Sequence, residues 1–232
     1  MMKQLFFIII ISVLVFNSTA QESRPKLKLG AFGGFATYSF EKPEDLNDEV
    51  MNQLPFDVAV IDNFPPRFYF GGYVLVRVAN WYSVGPAYEF HSTGSRVGAR
   101  DYSGSYHFDQ ILSTHQLGIE NEVRISGKTK TAVFLNLNGG VNFSTWKMEE
   151  ILTVGEDKQE DKSEYSAIKP FVYPSVKLTY PVYKEFLVFA KAGYLFDLGG
   201  KYHLSGNKDF QSTVKIPWSG FRVSLGLEFE IK

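Results

Sequence analysis

The chain has 232 residues, a formal net charge of −1 and no cysteine. Near-neutral charge excludes the basic excess that a nucleic-acid partner demands, and the lack of thiols excludes disulfide bracing and a lipid-modified cysteine. Aromatic residues are 16% of the whole, with 21 Phe and 13 Tyr, yet the mean hydropathy is slightly negative; alternating strands give that balance when one side chain in two faces lipid.

Met1 to Ala20 reads as a secretory signal, with Lys3 at a basic start, an apolar run from Leu5 to Phe16, and Ser18 and Ala20 at the positions a signal peptidase reads. The apolar run is about a dozen residues, whereas a spanning helix needs roughly 20, so a cleaved signal (residues 1–20) is expected rather than an anchor. The mature chain then starts at Gln21, and residues 21–232 suit one barrel domain with no separate soluble unit.

Eight segments of strand length follow: Lys26 to Phe40, Arg67 to Ala79, Trp81 to Thr93, Thr114 to Ile125, Lys130 to Trp146, Ile168 to Tyr180, Glu185 to Leu198, and Trp218 to Lys232. Their connections alternate in length. A long loop closing on Asp62-Asn63-Phe64-Pro65-Pro66 precedes the tight Ala79-Asn80 turn. The Gly/Ser/Tyr stretch from Gly94 precedes Ser126-Gly127-Lys128-Thr129. The acidic run from Met148 to Tyr165 precedes Pro181-Val182-Tyr183-Lys184, and Gly199 to Pro217 is the last long loop. Three short turns among four long loops predict an all-β, eight-stranded antiparallel up-and-down transmembrane barrel, with short periplasmic turns and long extracellular loops.

The two-residue period supports this. In the last strand Phe221, Val223, Leu225, Leu227, Phe229 and Ile231 alternate with small or charged residues, so one face meets hydrocarbon and the other a polar interior. Phe68, Phe70, Val74, Val76 and Val78 do the same in the second strand, and Val133, Leu135, Leu137, Val141 and Phe143 in the fifth. The first strand is weaker, because Phe32 and Phe35 fall on opposite faces. The sixth carries Pro170 and Pro174, each removing a ladder hydrogen bond, and a bulge is the expected remedy. Trp81, Tyr82, Tyr180, Tyr183 and Phe186 beside the short turns, with Trp146, Trp218, Phe40, Phe68, Phe90, Phe143 and Phe196 near the long loops, are expected to form two interfacial girdles. The competing soluble, lipocalin-like barrel requires the apolar faces to point inward.

Signal, strand count, loop asymmetry and final strand together resemble the small outer-membrane β-barrel family of Gram-negative bacteria, the OmpA-barrel and OmpW-like group. The Gly-rich first strand Leu29-Gly30-Ala31-Phe32-Gly33-Gly34 and the start at Gln21 are most similar to the PorT-like barrels of Bacteroidota. One departure is visible: such barrels usually finish on an aromatic residue, whereas this sequence ends Phe229-Glu230-Ile231-Lys232. The resemblance implies an accessory part in an envelope secretion or assembly complex; the alternative is a narrow OmpW-like channel for small solutes.

The candidate site is the interior. Parity sends Arg67, Arg77, Arg124, Lys177, Lys191 and Arg222 into the lumen with Glu89, Glu120, Glu122, Asp197, Glu228 and Glu230. Buried charges need partners, and an eight-stranded barrel holds little beyond its own side chains, so a salt-bridged plug is expected, with a gated conduit as the other reading. Phe90-His91-Ser92-Thr93 resembles the His-x-Ser element of PagL-like lipid A deacylases, with Thr93 where the serine nucleophile would stand; a hydrogen-bonded lumen histidine is the simpler reading. No catalytic, cofactor or metal constellation is expected. The acidic run, with Glu149, Glu150, Glu156, Asp157, Glu160, Asp161 and Glu164, reads as a solvated mobile loop rather than a calcium site. The apolar Val50–Ile61 stretch reads as docked on the rim or on a partner. Outer-membrane lipid, and other envelope proteins reached through loops 41–66 and 147–165, are the expected partners.

Overall fold

The computed structural model describes residues 27–126, 131–205, 207–212 and 216–231. The expected signal, Met1 to Ala20, the processing point before Gln21 and most of the Ser126-to-Thr129 turn lie outside the described residues. In chain order the elements are β1 (Leu27–Ala36), α1 (Glu41–Gln53), β2 (Ala59–Asn63), β3 (Arg67–Ala79), β4 (Tyr82–Arg100), β5 (Gly104–Arg124), β6 (Ala132–Val154), β7 (Asp157–Tyr183), β8 (Phe186–Asp197), β9 (His203–Leu204), β10 (Asn207–Gln211) and β11 (Gly220–Ile231).

Eight of these close a ring in the order β1-β3-β4-β5-β6-β7-β8-β11, every neighbour antiparallel and β11 pairing back onto β1. Closure leaves the ring without an edge, so strands of the wall find backbone partners on both sides within the ring. β2 lies beside the far end of β4, and β9 and β10 extend the sheet beyond β7.

Exposure follows the predicted parity. Leu225, Phe221 and Leu227 of β11, Phe68 and Phe70 of β3, Leu135 and Leu137 of β6 and Leu178 of β7 point outward and are exposed, while Lys28, Glu120, Glu122, Lys177, Lys191 and Arg222 are buried inside. Apolar outside and charged inside is the reverse of a soluble ligand-carrying barrel, and a continuous belt of this kind is stable only against hydrocarbon. The outward run of β3 from Phe68 to Val78 is 11 residues, the length that crosses a bilayer at barrel tilt, roughly 9–11 residues.

The wall is taller than the belt. β6 has 23 residues and β7 has 27, so about half of each stands beyond the apolar zone. The acidic run expected as a mobile loop is therefore a paired hairpin turning at Gly155, which has φ +60. Two of its cross-strand pairs match in sign: Glu149 sits opposite Lys162 and Lys147 opposite Glu164, with ion pairs of 3.0 and 3.3 Å, while Glu150 faces Asp161. Paired opposite charges across a ladder stabilise strands that lack apolar content, which is why composition alone misread the segment. The Gly/Ser/Tyr stretch is likewise strand up to Arg100 and again from Gly104.

Hydrogen bonds from Lys158 and Lys162 hold the Glu160 carboxyl down at about 2 from an ordinary value of 4.5. A carboxyl depressed by folding contributes stability that is complete above its unfolded value and disappears as pH falls through the folded one. Amide protection at the tip of this hairpin should therefore hold steady from pH 7 to pH 5 and decline between about 4.5 and 2. Hydrogen exchange, corrected for intrinsic rates, checks this; protection that ignores pH over that window contradicts it.

Pro170 and Pro174 of β7 need no bulge; the one register shift between β7 and β8 falls between Pro181 and Tyr183, at the short-turn end. Register with β6 runs unbroken from Val154↔Asp157 to Ala132↔Thr179. Pro170 and Pro174 both present their backbone to β8, and the pairing there simply lapses at Tyr173 and Pro174 and resumes at Ser175↔Gly193 in the same register. β8 parts from β7 just beyond Pro170, where Leu198 donates its N–H to the Pro170 carbonyl at 2.9 Å, so one proline costs a single ladder bond and the other stands where the ladder ends. In β1, Phe32 is buried and Phe35 is exposed, so the two faces were read correctly and a large aromatic simply enters the lumen.

Candidate functional site

The interior is built in tiers. At the short-turn end, Lys28 Nζ donates to Glu122 at 2.5 Å, Lys177 ion-pairs with Glu122 and, at 2.8 Å, with Glu228, and the Tyr73 hydroxyl donates to Glu228 at 2.5 Å. The Tyr73 ring reaches Glu228 across Gly30, where a Cβ would run into the ring; only glycine admits that crossing. Phe134 floors this tier, its ring 4.6 Å from Lys28 Nζ and 5.1 Å from Lys177 Nζ. Arg77 and Glu230 pair at 2.6 Å beside it and remain half-buried.

Above lies Lys191, which reaches both oxygens of Glu120 at 2.9 Å, while Asn136 donates to the same carboxylate. Higher still, Arg222 donates to Glu89 at 2.7 Å and to Gln116 at 2.6 Å. His91, fully buried, lies 3.1 Å from Glu89 through Nε2 and 3.3 Å from the Tyr38 hydroxyl through Nδ1, with its ring stacked on Tyr69 at 4.5 Å. A proton on Nε2 satisfies both contacts. The Thr93 hydroxyl donates to the Pro65 carbonyl at 3.2 Å.

At the long-loop end, Phe40, Phe64, Leu112, Trp146, Tyr202, Ile216 and Trp218 close over the lumen as one buried cluster. Lys169 bonds Asp197 at 2.6 Å and the Ile216 carbonyl at 2.6 Å, and Asp197 also accepts the Trp218 N–H. α1 sits on this cluster through a polar hub. Gln110 donates to the Pro43 carbonyl and to Asn47 Oδ1, each at 2.7 Å, and accepts from Trp146 Nε1 at 3.0 Å. The Val50–Ile61 segment expected to dock on the rim or a partner lies beyond this hub: it runs onto β4 through β2 with Phe56 against Tyr106 at 5.7 Å, has no buried residue, and leaves Phe56, Val60 and Ile61 exposed.

Among the described residues the buried charges balance: Lys28, Lys169, Lys177, Lys191 and Arg222 face Glu89, Glu120, Glu122, Asp197 and Glu228, five against five. Taking charges out of water is costly, and only close opposite partners with further hydrogen bonds offset it. Two of the sequence-derived lumen residues stand elsewhere. Arg67 is exposed and pairs with Asp62 at 2.5 Å, and Arg124 is exposed and donates to the Ser126 carbonyl; both have inward parity, but at strand ends the side chain swings to solvent. Three girdle residues are also misassigned. Phe40, Trp146 and Trp218 are buried in the mouth, the two tryptophans because they share the even parity of Asn142 and Arg222 and Phe40 because it lies past the end of β1, at the entry to α1. Trp81, Tyr180, Tyr183 and Phe186 are exposed around the short-turn end and Tyr82 is half-buried there, while Phe35, Phe68, Phe196 and Phe221 are exposed toward the other rim. Sequence reasoning missed Lys28 and Lys169, although parity with Gly30 and Phe32, and with Phe171 and Lys177, marks both as inward.

No protein-family model matches the sequence, and no curated protein matches it. Among solved structures, a major outer membrane protein from Thermus thermophilus superposes with a TM-score of 0.52 at 12% identity, over 90% of this chain and 100% of that one. The outer membrane protein OprG from Pseudomonas aeruginosa gives 0.44 at 10% identity over 91% and 97% of the two chains. The attachment invasion locus protein Ail of Yersinia pestis gives 0.40 at 12% over 90% and 100%. The first likeness carries the fold: this chain is an eight-stranded barrel of the outer-membrane type.

Proposed function

We propose that the chain is a non-enzymatic barrel of a Gram-negative outer membrane, exported by a signal peptide (residues 1–20) cleaved before Gln21. It serves as a structural or accessory component of an envelope assembly or secretion complex. The observation that carries the reading is the charge-neutral interior: among the described residues, five buried cations are matched to five buried carboxylates beneath an aromatic cap, which supports a plugged lumen rather than an open one. In this reading the short turns face the periplasm and the tall β4–β7 wall stands outside. Loops 41–66 and 147–165 then offer surface to other envelope proteins, while lipid surrounds the belt. The likeness of the Gly-rich first strand to PorT-like barrels supports the accessory role by analogy of fold and sequence style.

A second reading has its own observation. Glu89 Oε1, Arg222 Nε and Nη2, Gln116 Nε2 and the Asn142 amide are buried with no hydrogen-bond partner among the described protein atoms. Groups of this kind are met by water, and a hydrated middle tier suits a narrow OmpW-like channel for small solutes. Planar-bilayer recording separates the two. The plugged barrel gives no steady unitary conductance; a conductance that changes on Arg77→Ala or Glu120→Gln establishes the channel and removes the plug. Mild-detergent purification from native membranes tests the accessory role, which requires a co-purifying envelope protein at fixed stoichiometry.

A further inference from the structure

We propose that the barrel cross-links itself: the Lys191 amine attacks the Asn136 carboxamide, with Glu120 carrying the proton, and leaves an isopeptide bond between β8 and β6. The inference goes beyond the envelope role and does not depend on it. Side chains from three strands meet at one carboxylate. Lys191 Nζ donates to both Glu120 oxygens at 2.9 Å, and Asn136 Nδ2 donates to Glu120 Oε1 at 2.5 Å. All three residues are buried. Among the described residues, no other buried carboxylate holds a lysine and a side-chain amide together: Glu122, Glu228 and Asp197 hold lysines alone, and Glu89 holds Arg222 and His91.

Register explains the meeting. Asn136 on β6 pairs with Glu122 of β5, which sets it diagonal to Glu120, and diagonal side chains on one face can touch. On its other side Asn136 pairs with Ser175 of β7, which pairs in turn with Gly193 of β8. These small residues leave the Lys191 chain room to reach past β7. The rings of Phe32 and Tyr173, with centroids 5.8 and 5.0 Å from Nζ, stand at the amine where solvent would be.

The chemistry balances within the triad. One proton moved from Lys191 to Glu120 turns an ion pair that has lost its hydration into a neutral amine and a carboxylic acid, and the neutral amine is the nucleophile. Asn136 Oδ1 has no partner; rotation of the amide brings it to the Glu120 O–H, which polarises the carbonyl. The amine lone pair forms the Nζ–Cγ bond, Glu120 relays a second proton from Nζ to Nδ2, the Cγ–Nδ2 bond breaks, and ammonia leaves. Glu120 keeps the first proton. One cation and one anion thus vanish together, and the interior stays charge-matched. Strands that hold amine and amide on one oxygen supply the proximity such a reaction needs.

Peptide mapping of the full chain tests this. Trypsin should cut wild-type chain held in urea since synthesis into separate fragments 131–147 and 185–191. Folded chain should instead give 131–147 joined to 185–201, uncut after Lys191 and lighter than its parts by one ammonia, with the branch located by tandem mass spectrometry. Intact mass alone does not decide, because cyclisation of an N-terminal Gln21 also sheds ammonia. Glu120→Gln should slow the appearance of the branch after refolding by about a hundredfold or more, the usual worth of a positioned proton carrier. Asn136→Ala should abolish it. Folded wild-type chain that yields only the separate fragments overturns the proposal, and this arm needs no variant to fold. So does a branch present in the urea-held chain, persisting in Asn136→Ala, or forming at the wild-type rate in Glu120→Gln.

Discussion

Replacing Lys177 with methionine is expected to lower the unfolding free energy by about 3–5 kcal/mol, the usual cost of leaving a buried charge without its partner. The lysine is wholly buried and is the cation shared by Glu122 and Glu228. Without it, Lys28 alone faces both carboxylates: it lies 2.5 Å from Glu122 but 3.7 Å from Glu228, so one negative charge stays uncompensated. The side chain added in its place is apolar and of similar length, so the loss is electrostatic rather than a cavity. A compensating change follows from the same count. Lys177→Met combined with Glu228→Gln returns the tier to one cation and one anion, and the carbonyl oxygen of the new amide can still accept the Tyr73 hydroxyl. The double variant should regain at least half of the loss, a coupling in the usual range of roughly 0.5–3 kcal/mol for contacting residues. Urea unfolding in lipid vesicles, followed by tryptophan fluorescence, measures all three chains. A single variant within about 1 kcal/mol of wild type, the range of an exposed pair, would sink the idea that this tier is dry and charge-matched.

Strand parity told more than anything else in the sequence, and its limits are those of parity itself. It placed Lys177, Lys191, Arg222, Glu89, Glu120, Glu122 and Glu228 on inward faces, where they are buried. It is silent on height, so Arg67 and Arg124 were put in the lumen although they stand at strand ends where water competes. Partners across the barrel were out of reach altogether. Lys28 meets Glu122 over 94 positions of sequence, a pairing set by the stagger between strands that no single strand records. Trp146 and Trp218 were legible and misread: their alternation with outward neighbours pointed inward, and the expectation of an interfacial girdle overrode it. The hairpin of β6 and β7 was hidden for a different reason. Above the belt both faces meet water, so the apolar signal that marks a strand vanishes while the ladder continues on charge pairs such as Glu149 with Lys162.

The mouth of the barrel supplies the other large effect. Gln110→Leu should release α1 without unfolding the barrel, and the reason lies in where each lost bond leaves its partner. The glutamine satisfies the Pro43 carbonyl, Asn47 Oδ1 and Trp146 Nε1 at once, and each buried group left unpaired costs about 1–3 kcal/mol. Pro43 and Asn47 belong to α1, so lifting the helix returns them to water and limits the loss to the free energy with which α1 docks. The wall strands below keep their ladders. Limited proteolysis should therefore cut between residues 41 and 58 about ten to a hundred times faster, the ratio that one or two unpaired groups imply, while the urea midpoint of the barrel stays where it was. Asn47→Ala removes the other half of the same hub and should give the same cleavage, with little added by combining the two. Cleavage at the wild-type rate in Gln110→Leu would mean that the aromatic contacts of Phe40 with Phe64 and with Trp218 hold the helix by themselves, and that the polar hub only sets its register.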